Sequence, residues 1–312
     1  MTDIKITKKE YGGWKNCIEI SNGVVEVIAT TDVGPRIIRF GFVNRENEFC
    51  EVKEQIGTTG GDEWKIYGGH RLWHSPENKP RSYMPDNQQI DCRKKENGII
   101  LSQPVEPWTL IKKEIEVSVS PKRNEVYLIH RLINKGAWTI KLAAWALTVM
   151  APGGREIIPQ IREDTVLLPN RMISLWPYTK LNDHRVHWGE KYIMLDQDRN
   201  ANQAFKIGLP NKDGWAAYAN NGHLFVKRFQ HVDGVEYPDF GYSSFETYTC
   251  DYMTEIESLS PLFELEPDCS IEHKEIWNLY DNVKTPENET DIDDIILPYV
   301  QTLENINYTV LH

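Results

Sequence analysis

The sequence is built from short runs in which apolar and polar residues alternate. In "EIEVSVS" (114–120), Ile115, Val117 and Val119 point one way and Glu114, Glu116 and Ser118 the other. Period two is strand geometry, because successive side chains of an extended chain leave on opposite faces. "VVEVIA" (24–29), "RIIRF" (36–40) and "EVYLIHRLIN" (125–134) read the same way, and "SSFETYT", "TEIESL" and "SIEHKEIW" continue the pattern. "KLAAWALTVM" (141–150) is apolar on both faces, which suits a buried strand or a short helix. In "GWAAYANNGHLFVKRF" (214–229), Asn221-Gly222 separates two apolar runs and signals a hairpin. Proline and glycine recur at roughly the eight-to-twelve-residue spacing of sandwiches and barrels. The pattern predicts an all-β protein, a sandwich or a barrel, with the strand pairings left open.

The tail differs. "ENETDIDDIILPYVQTLENI" (287–306) mixes acids with apolar residues at helix-like spacing. The simplest organisation is one β domain over 1–280 and a short helical or irregular appendage over 281–312. A net charge of -11 argues against nucleic acid or an anionic membrane as partner. No run approaches the roughly 18 apolar residues of a membrane span, and "MTDIKITKKEYGGWKN" lacks the apolar centre of a signal peptide. Cys17, Cys50, Cys92, Cys250 and Cys269 are scattered and form no CxxC, which fits reduced thiols in the cytoplasm.

Chemistry concentrates in "YGGHRLWHSPENKP" (67–80). Gly68-Gly69 frees the backbone, and Pro76 and Pro80 break regular structure, so the stretch reads as an irregular loop. His70 and His74 are four apart, as are two ligands on a helix face, but the flanking glycines and proline oppose a helix. His184 and His187 read as polar loop residues. Neither pair has a third ligand at a recognisable spacing, so no metal and no cofactor is expected. Trp73 beside His70 and Arg71 suits a sugar, whose C–H face packs on a ring while its hydroxyls take charge-assisted hydrogen bonds. The same residues also read as a core indole next to a surface arginine.

Glu246 lies within an aromatic strand pattern, sharing a face with Ser244 and Tyr248. It faces either solvent or a site. Partial burial would raise its proton affinity and make it a base usable near neutral pH. Glu255 and Glu257 alternate with Ile256 and read as solvent-facing or paired with cations.

Several motifs in order resemble the galactose mutarotase (aldose 1-epimerase) superfamily, closest to an uncharacterised branch, over roughly 20–280. "DVGPRIIRFGFVNRENEF" resembles the family's early Gly-x-Arg-Ile element and carries Arg36. "YGGHRLWHSPE" resembles its Gly-x-x-Arg loop, and "SSFETYT" the strand of its catalytic glutamate. "LFELEPDCSIEHKEIW" is similar to its closing strand. The resemblance implies a β-supersandwich of two large twisted antiparallel sheets with a small-molecule carbohydrate in the concave face. It implies an isomerase in which Glu246 is the base, with sugar contacts from His70, Arg71, Trp73, Arg36 and Asp239. The family's acid is a histidine on a strand that here reads "KLAAWALTVMAPGG", with Trp145 or Thr148 near its place. The acid would then be His74 or His70, or absent. The alternatives are a non-catalytic carbohydrate-binding or sugar-sensing protein, and a hydrolase or lyase, which Asp239 and Glu246 at hydrolase separation would favour.

Overall fold

A computed structural model describes residues 3–302. The alternating runs are strands, including Val25–Thr30, Arg36–Phe42, Ile111–Val119 and Glu125–Asn134. The doubly apolar run is a strand, Ile140–Met150, buried along almost its whole length. Both faces are apolar because it sits mid-sheet with packing on each side. Trp215–Asn220 and His223–Arg228 form the expected hairpin. Asn221 (φ 52°) and Gly222 (φ 78°) both occupy the left-handed region that a tight two-residue turn requires.

The strands form two antiparallel sheets. One runs from Lys5–Tyr11 through Arg36–Phe42, Gly69–Ser75, Ile140–Met150, Thr254–Leu259 and Phe245–Thr249 to Phe205–Leu209 and Ser174–Leu175. The second runs from Val186–Trp188 through Trp215–Asn220, His223–Arg228, Ser270–Asp281 and Glu125–Asn134 to Asp91–Lys95. Between them lies an apolar core in which Phe40, Phe49 and Phe225 ring Trp277 at centroid distances of 5.9, 5.4 and 5.9 Å. The last strand ends at Asp281, and the chain is helical from Glu289 to Gln301. Asn288 caps this segment by accepting from the Asp291 N–H at 3.0 Å. Ile292 and Ile296 bury against Tyr192 and Trp215 on the outer face of the second sheet. Residues 303–312 of the predicted appendage, and the first two of the N-terminal stretch, lie outside the described residues.

The expectation of a loop over 67–80 is corrected: Gly69–Ser75 is a buried strand in the middle of the first sheet. Its glycines serve neighbouring backbone, not a ligand. A Cβ on Gly69 would lie 2.2 Å from the Ile37 carbonyl oxygen, and one on Gly68 2.0 Å from that of Cys50. The alternation of this strand then separates its side chains. His70, Leu72 and His74 face the second sheet, while Arg71 and Trp73 face away from it.

Of the inward histidines, His70 belongs to a polar chain that crosses the core. Lys227 Nζ donates to Thr148 Oγ1 at 3.0 Å, and Thr148 Oγ1 lies 2.9 Å from His70 Nδ1. His70 Nε2 lies 2.7 Å from His130 Nε2, and His130 Nδ1 donates to the His273 carbonyl at 2.9 Å. That last bond fixes the rest: His130 Nε2 accepts from His70, and His70 Nδ1 accepts from Thr148. Lys227 also pairs with Glu275 at 2.8 Å, both fully buried. Burial pushes His273 down to about 3 and lowers His70 and His130 as well. These imidazoles stay neutral in the fold, while the unfolded chain takes up protons below pH of about 6.5. Their contribution to stability therefore falls as pH drops from about 6.5 towards about 3. His273→Gln should make unfolding free energy less steep in pH across that window, by up to about 1.4 kcal/mol per pH unit. Denaturant melts at stepped pH measure this, and an unchanged slope would show that His273 titrates alike in both states.

Candidate functional site

The face of the first sheet that points away from the core is roofed by loops, and between them lies a cavity of about 400 Å³. Register places its floor. Trp73 pairs with Trp145, Arg71 with Leu147, and Glu246 with Glu257. Trp73 meets Trp64, Tyr83 and Trp145 edge-on at 5.0, 4.9 and 5.4 Å. Tyr178, Tyr248 and Tyr252 complete an aromatic wall.

Charge is threaded through these rings. The Arg71 guanidinium sits over Trp73 and Trp64 at 4.8 and 5.3 Å and pairs with Glu255 at 2.8 Å. Lys206 lies over Trp145 and Trp176 at 4.7 and 4.8 Å. Its ammonium contacts Glu246 at 2.8 Å and Glu257 at 3.0 Å, and the Trp145 indole donates to Glu257 at 2.8 Å. Burial pushes Lys206 down, but the two carboxylates outweigh it and hold its proton firmly. Burial raises Glu246 well above the usual carboxylate range; Lys206 opposes this, and Glu257 and Asp239 add to it. Burial raises Glu257 too. Both carboxyls are thus pushed towards the protonated form against the pull of Lys206.

Two buried donors at this face have no hydrogen-bond partner, Trp64 Nε1 and Arg71 Nε, while Arg71 Nη1 meets Glu255 and Glu246 meets Lys206. An unpaired buried donor costs free energy, of order 1–3 kcal/mol. A ligand that accepts hydrogen bonds while lying on an aromatic wall would satisfy them.

The structure brings together Arg71, Trp73 and Glu246 on one sheet face, with Asp239 against Glu246. It does not bring His70 or His74 there. Strand alternation sends both to the opposite face, where His70 joins the core chain and His74 lies near Glu106, 4.0 Å away. Arg36 is fully buried, held by Asp86 at 2.9 Å and by the carbonyls of Ile66 and Lys65, and it is occupied structurally. Thr148 faces the core, whereas Trp145 faces the cavity. His184 and His187 are surface residues bonded to Asp198 and Asp196. Glu246 itself is 1% exposed and stands behind Lys206 rather than on the cavity wall.

The sequence reading missed Lys206 as a site residue; of its two alternatives for Glu255 and Glu257, solvent or a cation partner, the structure shows the second, with Arg71 and Lys206. Lys206 had a signal, a single cation inside the apolar strand "AFKIGL". For the glutamates the alternation was read correctly, but the outward face of this strand is covered. One set of residues could hold a metal: ligand atoms of His70, His130 and Glu275 lie within 4.8 Å of one another. Each ring nitrogen of these histidines is already engaged in the chain described above, and Lys227 supplies the cation beside Glu275.

No family model and no curated protein matches the sequence. Solved structures do match in fold. A putative aldose 1-epimerase from Klebsiella pneumoniae shares 10% identity at a TM-score of 0.57, covering 96% of this chain and 87% of its own. A galactose mutarotase-like protein from Clostridium acetobutylicum shares 11% at 0.53, covering 90% and 100%. The Slr1438 protein from Synechocystis shares 9% at 0.57, covering 88% and 99%. The fold is galactose mutarotase-like. Among the described residues no helix is long and apolar enough to cross a membrane.

The galactose mutarotase-like sheet makes Lys206 the electrostatic keystone of this face. Lys206→Met should leave Glu246 and Glu257 without their cation and destabilise the fold by about 3–5 kcal/mol. Guanidinium unfolding tests this, and a variant as stable as the parent would dismiss the clamp.

Proposed function

We propose that the protein seats a monosaccharide-sized carbohydrate in the aromatic cavity and interconverts its anomers, as an aldose 1-epimerase-like isomerase with Glu246 as base. The observation that carries this is the pairing of an aromatic wall with buried donors left open, Trp64 Nε1 and Arg71 Nε, beside the Arg71–Glu255 and Lys206–Glu246 pairs. A pyranose offers one C–H face for the rings and a rim of hydroxyls for the polar atoms. In the reaction a carboxylate takes the anomeric hydroxyl proton while an acid protonates the ring oxygen. The ring opens, the aldehyde turns, and the ring recloses. The raised proton affinity of Glu246 suits it to this exchange near neutral pH. The five cysteines, free and scattered, fit a reducing compartment, so the cytoplasm is part of this reading.

A second reading, a non-catalytic carbohydrate-binding or sugar-sensing protein, is favoured by a specific feature. Lys206 clamps Glu246 off the wall, and no histidine of the described residues lines the cavity to act as acid. The hydrolase reading loses ground, because Asp239 lies against Glu246 rather than across a substrate from it.

Anomeric exchange followed by NMR over aldoses, sugar acids and sugar phosphates separates these readings. An isomerase should lose about 10²–10⁴-fold in turnover on Glu246→Gln with affinity little changed. Arg71→Ala should weaken binding itself, because it deletes charge-assisted contacts made before and during reaction. Saturable binding with exchange no faster than buffer decides for the binder. A fully active Glu246→Gln removes this residue from the mechanism.

A further inference from the structure

His74, excluded from the aromatic cavity, opens onto a different one. A crevice of about 210 Å³ lies at one end of the sandwich, where strands of both sheets begin or finish, lined by His74, Arg81, Trp108, Thr109, Lys141 and apolar side chains including Ile111 and Leu142. It shares no lining residue with the first cavity. His74 is 1% exposed, yet its Nε2 has no hydrogen-bond partner. The Arg81 backbone lies in hydrogen-bonding reach of the ring, and the neutral tautomer that puts the proton on Nδ1 gives Nε2 a lone pair. Arg81 Nη2 is anchored on the Pro76 carbonyl at 2.6 Å, while its buried Nε–H has no partner. Trp108 is 59% exposed beside them.

We infer that this crevice is a second ligand site, for an uncharged hydroxylated molecule of single-sugar size. The chemistry of the two open atoms selects the class. A hydroxyl donates to the His74 lone pair and accepts from Arg81 Nε, and one group thereby satisfies both. A carboxylate has no proton for His74 and would face Glu106, whose Oε2 is 4.0 Å from that nitrogen. An ammonium group has no lone pair for Arg81 and would meet its charge. The neighbouring charges are spoken for, since Lys113 pairs with Glu106 at 2.6 Å and Lys141 with Glu236 at 2.5 Å. Trp108, Ile111 and Leu142 offer apolar surface to a C–H face.

The test is 19F NMR of protein labelled with 5-fluorotryptophan, titrated with D-galactose and D-glucose, with galacturonate and glucosamine as charged controls. Trp108→Phe identifies the Trp108 resonance. That resonance should shift saturably with a neutral sugar and should do so unchanged in Arg71→Ala, which disables only the first cavity. Arg81→Ala should weaken the Trp108 response about ten-fold, the worth of one hydrogen bond to a charged group, with the other nine resonances in place as proof of folding. A Trp108 resonance that neither sugar moves would overturn the inference, whatever happens at Trp73. So would an equal response in Arg81→Ala, or tighter binding of galacturonate or glucosamine. A Trp108 response without any anomeric exchange would leave this site standing while the isomerase reading fell.

Discussion

Lys227 and Glu275 meet at 2.8 Å in the centre of the sandwich, both wholly buried. Two charges taken out of water cost several kcal/mol each unless every remaining proton and lone pair is used. Here they are used. Lys227 donates to the Ala146 and Ile256 carbonyls and to Thr148, which leads through His70 to His130. Glu275 accepts from Ser258 at 2.5 Å and from the Trp277 indole at 2.9 Å. The donors and acceptors come from both sheets, so the network completes only when the sheets stack in one register. Apolar packing alone would tolerate small slips, whereas a half-completed buried network would not.

This network explains the part of the sequence that misled. In "GHRLWHS" polar residues stand on both faces, so period two leaves no hydrophobic trace. A histidine faces the core because His130 and Thr148 await it, and an arginine faces outward because Glu255 and two indoles do. Those partners lie 60 or more residues away in most cases, beyond any local pattern. Flanking glycine and proline then suggested a loop. The strands with one apolar face, such as Ile111–Val119, were legible because burial on one side and water on the other writes alternation directly. The hairpin at Asn221-Gly222 was legible because turn chemistry is local.

The candidate site was legible in residue type more than in place. Arg71, Trp73 and Glu246 do share a sheet face, but the resemblance that drew them together also drew in His70, His74 and Arg36. Strand parity forbids the histidines. Arg36, which pairs in register with Arg71, is held by Asp86 and two carbonyls. Glu255 and Glu257 pair with cations, one of the two readings their alternation allowed, rather than facing solvent. Alternation distinguishes two faces of a strand but not which face is wet, and here the outward face is roofed by aromatic loops.

The charges under the roof are interlocked: Arg71 with Glu255, Lys206 with Glu246 and Glu257, and Asp239 against Glu246. With each of these charges already facing an opposite or a neighbouring one, what is left open is the Trp64 and Arg71 Nε donors, which reward a ligand that brings lone pairs. The lysine that holds Glu246 off the cavity wall is thus also the group that stabilises negative charge on Glu246 and Glu257.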